Sequence, residues 1–199
     1  MANISRHQLL LSLLGTGDQG ESTEGFGGIT RLQKFLFLLE KEENLAPTKN
    51  GFDFEAYKAG PYSFKLYDEL ELLENLDYIK SDVVAEASDA EAAEIEELSF
   101  EDLIGDESEE IGNKLVDGFG AADAFEERRF SLTEKGRDKV KKMMESGEYK
   151  PTFDGIRRIK SKYGDYSLSD LLYYVYTKYP GMTTESEIKK KVLNRRRKR

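Results

Sequence analysis

The chain has no cysteine and no tryptophan, a single histidine (His7) and only four prolines in 199 residues. Without cysteine there is no disulfide framework, no thiolate nucleophile and no cysteine-based zinc site. One histidine excludes a multi-histidine metal centre, and His7 reads as an ordinary surface or packed residue. No run approaches the ~18 apolar residues of a membrane span. The apolar stretch Leu9 to Leu14 is shorter than the usual signal-peptide core of roughly 7–15 residues, with only Arg6 ahead of it. The expectation is therefore a cytoplasmic protein without a membrane partner. Gly15-Thr16-Gly17 and Gly25-Phe26-Gly27-Gly28 lack the G-K-[ST] sequel of a phosphate loop, and no Ser/His/Asp set can be assembled. The sequence thus predicts no enzyme, no metal and no cofactor.

What is abundant is charge, unevenly distributed. Residues 82–127 hold 17 Asp/Glu and one Lys, a net −16 within a whole-chain net of −9. Residues 1–81 carry 8 basic and 13 acidic side chains, and residues 128–199 carry 21 and 9. So many carboxylates with so few apolar groups cannot offset an ordering entropy of roughly 1–2 kcal/mol per residue. Residues 82–127 are accordingly expected to be a flexible, solvated acidic insertion. The other reading is an acidic-hydrophobic segment that folds on a partner.

Along the chain, Ser5-Arg6-His7-Gln8 matches a capping box, with Ile4 and Leu9 at the staple positions, and opens a helix to about Leu14. Gly15 to Gly28 reads as a loop. Thr30-Arg31-Leu32-Gln33 is a second capping-box match, and Ile29, Leu32, Leu36 and Leu39 form a helical stripe widened by Phe35 and Leu38. Phe52 to Tyr57 alternates as a short strand. Gly60-Pro61 predicts a turn and Ser63 a cap for a helix buried through Leu66, Leu70 and Leu73. After the acidic stretch, Arg129 to Leu132 resumes strand character, and Thr133 caps a helix with Val140 and Met144 inward. Tyr149 to Asp154, with Pro151, predicts a boundary. Ile156 and Ile159 then begin a short helix, Ser167 caps another to Lys178, Pro180-Gly181 breaks it, and Thr184 starts the last. The fold class expected is mainly α with a small β-wing. A winged helix-turn-helix-like domain spans residues 1–148, and a Tyr-rich helical extension with a basic tail spans 149–199.

Three surfaces are candidates for binding. A recognition helix that enters DNA usually presents Arg, Lys, Asn or Gln to it. Here the helix offers Lys65 and then Asp68, Glu69, Glu71 and Glu74, which suits a basic protein surface better than a phosphate-lined groove. Six tyrosines lie between Tyr163 and Tyr179, and the pair Tyr173-Tyr174 cannot both face inward on a helix. That pair is a candidate contact, against the simpler reading of ordinary packing. The tail residues Lys189, Lys190, Lys191, Arg195, Arg196, Arg197, Lys198 and Arg199 could contact nucleic acid without sequence preference. Alternatively they solubilise the chain or meet the acidic stretch.

Leu32-Gln33-Lys34, the set Phe54, Ala56, Tyr57, Gly60 and Pro61, and Leu66, Tyr67, Glu69 and Leu70 resemble the prokaryotic YwgA-type proteins. More distantly they resemble the Panacea (SocA-like) antitoxin domain. The likeness covers about Ile29 to Asn75, with looser agreement to Lys142. It implies a small winged-helix-like protein of antitoxin or adaptor type, encoded near toxin or defence genes, and it carries over no catalytic residue. The acidic insertion and the basic tail depart from that pattern. The function expected is a protein-binding module, antitoxin-like or an adaptor, with another protein such as a basic toxin or nuclease as partner. The alternative is a winged-helix transcriptional regulator that binds DNA.

Overall fold

The computed structural model describes residues 4–17, 26–47, 51–84 and 127–195. Among them are seven α-helices, a three-stranded antiparallel sheet and a two-stranded hairpin. In chain order they are α1 (Arg6–Gly15), β1 (Phe26–Gly27), α2 (Ile29–Glu42), β2 (Glu55–Tyr57), β3 (Gly60–Tyr62) and α3 (Lys65–Asn75). There follow β4 (Ile79–Val84), β5 (Glu127–Leu132), α4 (Glu134–Glu145), α5 (Lys150–Tyr163), α6 (Leu168–Lys178), a 3-10 turn (Pro180–Thr183) and α7 (Lys189–Arg195).

Two helices form the centre. In α1 every residue from Leu9 to Leu14 is buried, and in α2 every residue from Leu32 to Leu39. A helix apolar on all sides must be covered on all sides. α1 meets α3, α4, α5 and β5, while α2 meets α5, α6, β1 and β3. The capping box at Ser5 is formed, with the Ser5 hydroxyl accepting from the Gln8 amide and the Gln8 side chain accepting from the Ser5 N–H. Thr133 and Ser167 also cap as expected, accepting from the Gly136 and Asp170 amides.

Several local expectations are corrected. Helix α2 begins at Ile29 behind Gly28, so Thr30 is not its cap. The side chain of Gln33 instead accepts the Ser63 N–H across 2.7 Å. Ser63 caps nothing; its hydroxyl donates to the Phe52 carbonyl. Gly60-Pro61 is not a turn but opens β3, and the turn is Lys58-Ala59. Pro151 sits in the first turn of α5, where the missing N–H has no intrahelical partner to lose, so α5 starts earlier than expected. The last helix starts at Lys189 rather than near Thr184. Met143 is buried on α4, with Met144 only partly so.

The main sheet has the order β1-β5-β4, with Phe26 opposite Phe130 and Val84 opposite Glu127. Residues 82–84 and Glu127 therefore belong to strands. The rest of the expected acidic insertion, 85–126, lies outside the described residues. Gly136 lets α4 press against the sheet, since a Cβ there would stand 2.0 Å from the Tyr78 carbonyl oxygen. Helices α5 and α6 contribute Phe153, Ile156, Ile159, Tyr163, Leu171, Leu172 and Val175 to the same core as α1 and α2.

Candidate functional site

Helix α3 buries Leu66, Glu69, Leu70 and Leu73 and turns the opposite side outward. Helical spacing places Phe64, Asp68, Glu71, Leu72 and Leu76 together on that outer side. Phe64, Leu72 and Leu76 are the large hydrophobics left exposed among the described residues, at 42%, 45% and 45%. Asp68 and Glu71 lie between them, exposed and without an ion pair among the described residues. The outer side is therefore apolar and acidic at once.

Glu69, expected on that face, is instead turned in towards α1. Its Oε1 accepts from Arg6 Nε at 2.8 Å, and Oε2 lies 4.0 Å from His7 Nδ1. With the side chain only 7% exposed, Glu69 ties α3 to α1 and is not offered to a partner.

A row of aromatic rings leads from α3 onto the hairpin. Phe64 and Tyr67 have centroids 6.5 Å apart, Tyr67 and Tyr62 5.9 Å, and Tyr62 and Tyr57 4.8 Å. Glu55 is the cross-strand partner of Tyr62. Burial raises the Tyr62 phenol well above its ordinary value, with Tyr67, Tyr57, Glu55 and Asp68 adding to the effect. Its hydroxyl has no hydrogen-bond partner among the described residues.

The tyrosines of α6 are used differently from one another. Tyr173 is half-buried. Tyr174 donates its hydroxyl to Glu42 Oε1 at 2.7 Å, joining Tyr163 at 2.9 Å and Tyr179 at 3.3 Å on that same oxygen. Lys162 and Lys178 complete the set, each 2.9 Å from a Glu42 oxygen. Burial alone would raise the Glu42 carboxyl. The hydrogen bonds from Lys178, Lys162, Tyr174 and Tyr163 outweigh it and bring the value down to about 2. Tyr174 thus belongs to a part-buried clasp between α2, α5 and α6, and Tyr173 alone of the pair is not committed to it.

A second unexpected group is Lys34, which is 2% exposed. Its ammonium donates to the Pro61 carbonyl at 2.9 Å, and desolvation lowers its pKa to about 7. The sequence signal was available: Gln33 and Lys34 are the only polar residues in a run that is otherwise apolar from Leu32 to Leu39. Glu42 carried no comparable signal, being one acid among several at a helix end.

In the tail, Lys189, Lys190 and Lys191 lie on α7, the first half-buried and the others exposed, with Ile188 and Val192 anchoring the helix. Arg195 ends α7, and Arg196, Arg197, Lys198 and Arg199 fall outside the described residues. Among the described residues no helix is long and apolar enough to cross a membrane, and no group of three or more His, Asp or Glu side chains could hold a metal. No family model, curated protein or solved structure matches the chain.

Proposed function

We propose that the chain is a non-catalytic protein-binding module whose docking surface is the outer side of α3. The observation that carries this reading is the coincidence of the exposed hydrophobics Phe64, Leu72 and Leu76 with the unpaired carboxylates Asp68 and Glu71 on one helix face. Apolar side chains grouped on a surface mark interaction sites more often than singly scattered ones do. The carboxylates select a basic partner and speed its approach. A nucleic-acid-binding toxin or nuclease has that character. The resemblance to YwgA-type and SocA-like antitoxin proteins, and a cytoplasmic prokaryotic adaptor or antitoxin role, fit the same reading.

The winged-helix reading draws support from the chain order α1, β1, α2, α3, β4, β5 and from the sheet order β1-β5-β4. That order also favours the second reading, a DNA-binding regulator. Two features oppose it. The helix that would enter the groove presents carboxylates rather than donors, and a whole hairpin, β2–β3, stands where a short turn would join α2 to α3. In this reading DNA contact is limited to non-specific phosphate binding by Lys189, Lys190, Lys191 and the residues from Arg195 to Arg199.

The test is affinity purification from native cells with three baits: wild type, Leu72→Asp/Leu76→Asp, and Asp68→Lys/Glu71→Lys. A protein recovered by wild type and lost with both variants is expected. Both variants should melt within about 0.5 kcal/mol of wild type, because the substituted positions are exposed. Equal recovery by all three baits overturns the reading. A sequence-selective DNA footprint that survives loss of residues 195–199 and is lost on Lys65→Ala establishes the regulator instead.

A further inference from the structure

We infer that the outer edge of β4 pairs with the same edge of a second copy of this chain, joining two three-stranded sheets about a two-fold axis at Ser81. This contact uses the edge of the sheet and not the outer side of α3.

The phase of the ladder shows which backbone groups face outward. Strand β4 ends the sheet order β1-β5-β4, so among the described residues one of its edges has no paired strand. The Thr133 N–H donates to the Tyr78 carbonyl at 3.1 Å, directly beside the Ile79–Leu132 pair. On the other side of β5, the Gly28 N–H donates to the Arg128 carbonyl at 3.0 Å. Backbone groups alternate in direction along a strand. Both bonds fix the same phase: Tyr78, Lys80 and Asp82 aim their backbone groups at β5, and Ile79, Ser81 and Val83 aim theirs outward.

Edge strands are commonly blunted by proline, a bulge or charged side chains. Ile79–Val84 holds no proline, its register with β5 is unbroken, and its two charges are of opposite sign. The order Ile79, Lys80, Ser81, Asp82, Val83 is self-complementary when run against itself. With Ser81 opposite Ser81, Ile79 meets Val83 and Lys80 meets Asp82 of the second copy. All three outward-facing residues then meet outward-facing residues, as an isologous two-fold contact requires. Lys80 and Asp82 fall on the non-hydrogen-bonded pairs, where side chains come closest. Both are exposed, at 58% and 60%, and within one chain they bridge to each other at 2.8 Å, a surface contact that contributes little. Asp82 also has Arg129 as its cross-strand neighbour on β5. Charges across the joined sheet therefore alternate in the order Arg129, Asp82, Lys80. Opposite charges directly across a strand pair favour it, and like charges oppose it. Sliding the pair by two residues either way sets Lys80 against Lys80 or Asp82 against Asp82, so the same charges select the register.

The experiment is sedimentation velocity of the full chain over a concentration series at low ionic strength. Wild type is expected to show a monomer–dimer equilibrium. Lys80→Asp and Asp82→Lys should each weaken self-association about ten-fold or more, because each sets like charges across the axis. An equimolar mixture of the two variants should associate as wild type does, since carboxylates on one copy then face ammonium groups on the other. Ser81→Pro removes the central outward N–H, which β5 does not use, and an edge strand tolerates proline at such a position. It should abolish the dimer and keep a cooperative melt. If Ser81→Pro does not fold, the mixing result decides alone. Wild type that stays monomeric up to its solubility limit overturns the inference and leaves the edge to a strand of another protein. A dimer equally strong in each charge variant alone and in their mixture overturns it as well, because the contact then lies elsewhere.

Discussion

At the scale of single residues, the strongest electrostatics among the described residues lie in two places away from the outer side of α3. Glu42 holds three phenols and two ammonium groups from α5, α6 and the residue after α6. Its carboxyl titrates near 2 in the fold against an ordinary 4.5. The lowered value means that the carboxylate contributes stability above about pH 4.5, and that this contribution is lost as pH falls towards 2. Glu42→Gln should cost about 1.5–3 kcal/mol at pH 7, the range for hydrogen bonds to charged groups. It should also flatten the acid limb of a urea-melt series run from pH 2 to 6. Lys34 acts with the same sign in a higher pH window, because desolvation there disfavours its charged form. Its folded value is about 7 against 10.5, so between those limits the unfolded chain holds the proton that the folded chain has released, and stability rises with pH. Relative to Lys34→Met, wild type should gain stability from pH 7 to 10.5 and show a constant difference below pH 7. The same melts at pH 6, 7.5 and 9 measure it.

At the scale of elements, close approach and capping decide what can be changed. Gly136 stands under the Tyr78 carbonyl, which also accepts the Thr133 N–H at 3.1 Å. Gly136→Ala would push α4 off the sheet edge and is expected to cost more than about 2 kcal/mol, as overpacking against fixed backbone does. Gly181, with nothing near its would-be Cβ, serves as the control: Gly181→Ala should stay within about 0.5 kcal/mol in the same denaturation assay. Which elements were legible follows from how local their determinants are. Ser5, Thr133 and Ser167 cap as read because the cap oxygen and the backbone N–H that donates to it lie three residues apart. Thr30 and Ser63 carried the same local pattern and failed. Ser63 is held by Phe52 and Gln33, from 11 and 30 residues away. The acidic face of α3 was legible except for Glu69, whose inward turn depends on Arg6, 63 residues earlier. The Glu42 clasp spans more than 120 residues, and no window of sequence displays it.

At the scale of the whole molecule, helices on either side of residue 149 share one core. Phe153, Ile156 and Ile159 of α5 and Leu171 and Val175 of α6 pack in the cluster that holds Leu10, Phe35 and Leu36. Among the described residues an acidic and apolar surface is left outward on α3, whereas the exposed cations Arg157, Arg158 and Lys162 along α5 are paired with Asp154, Glu43 and Glu42. The pairing of Val84 with Glu127 has a consequence for how such a chain can vary. The strands hold Val84 and Glu127 opposite each other, so joining them through a linker costs an entropy that grows only with the logarithm of the linker's length, about 0.6 kcal/mol per doubling. The site is therefore a port, at which cargo of almost any length can be gained or lost while the host fold is kept. Replacing residues 85–126 by Asn-Gly, the two-residue turn that matches strand twist, should leave a chain that melts cooperatively at or above the wild-type temperature. Differential scanning calorimetry of the two chains reads the outcome directly. A collapsed transition would mean that the cargo has become part of the host.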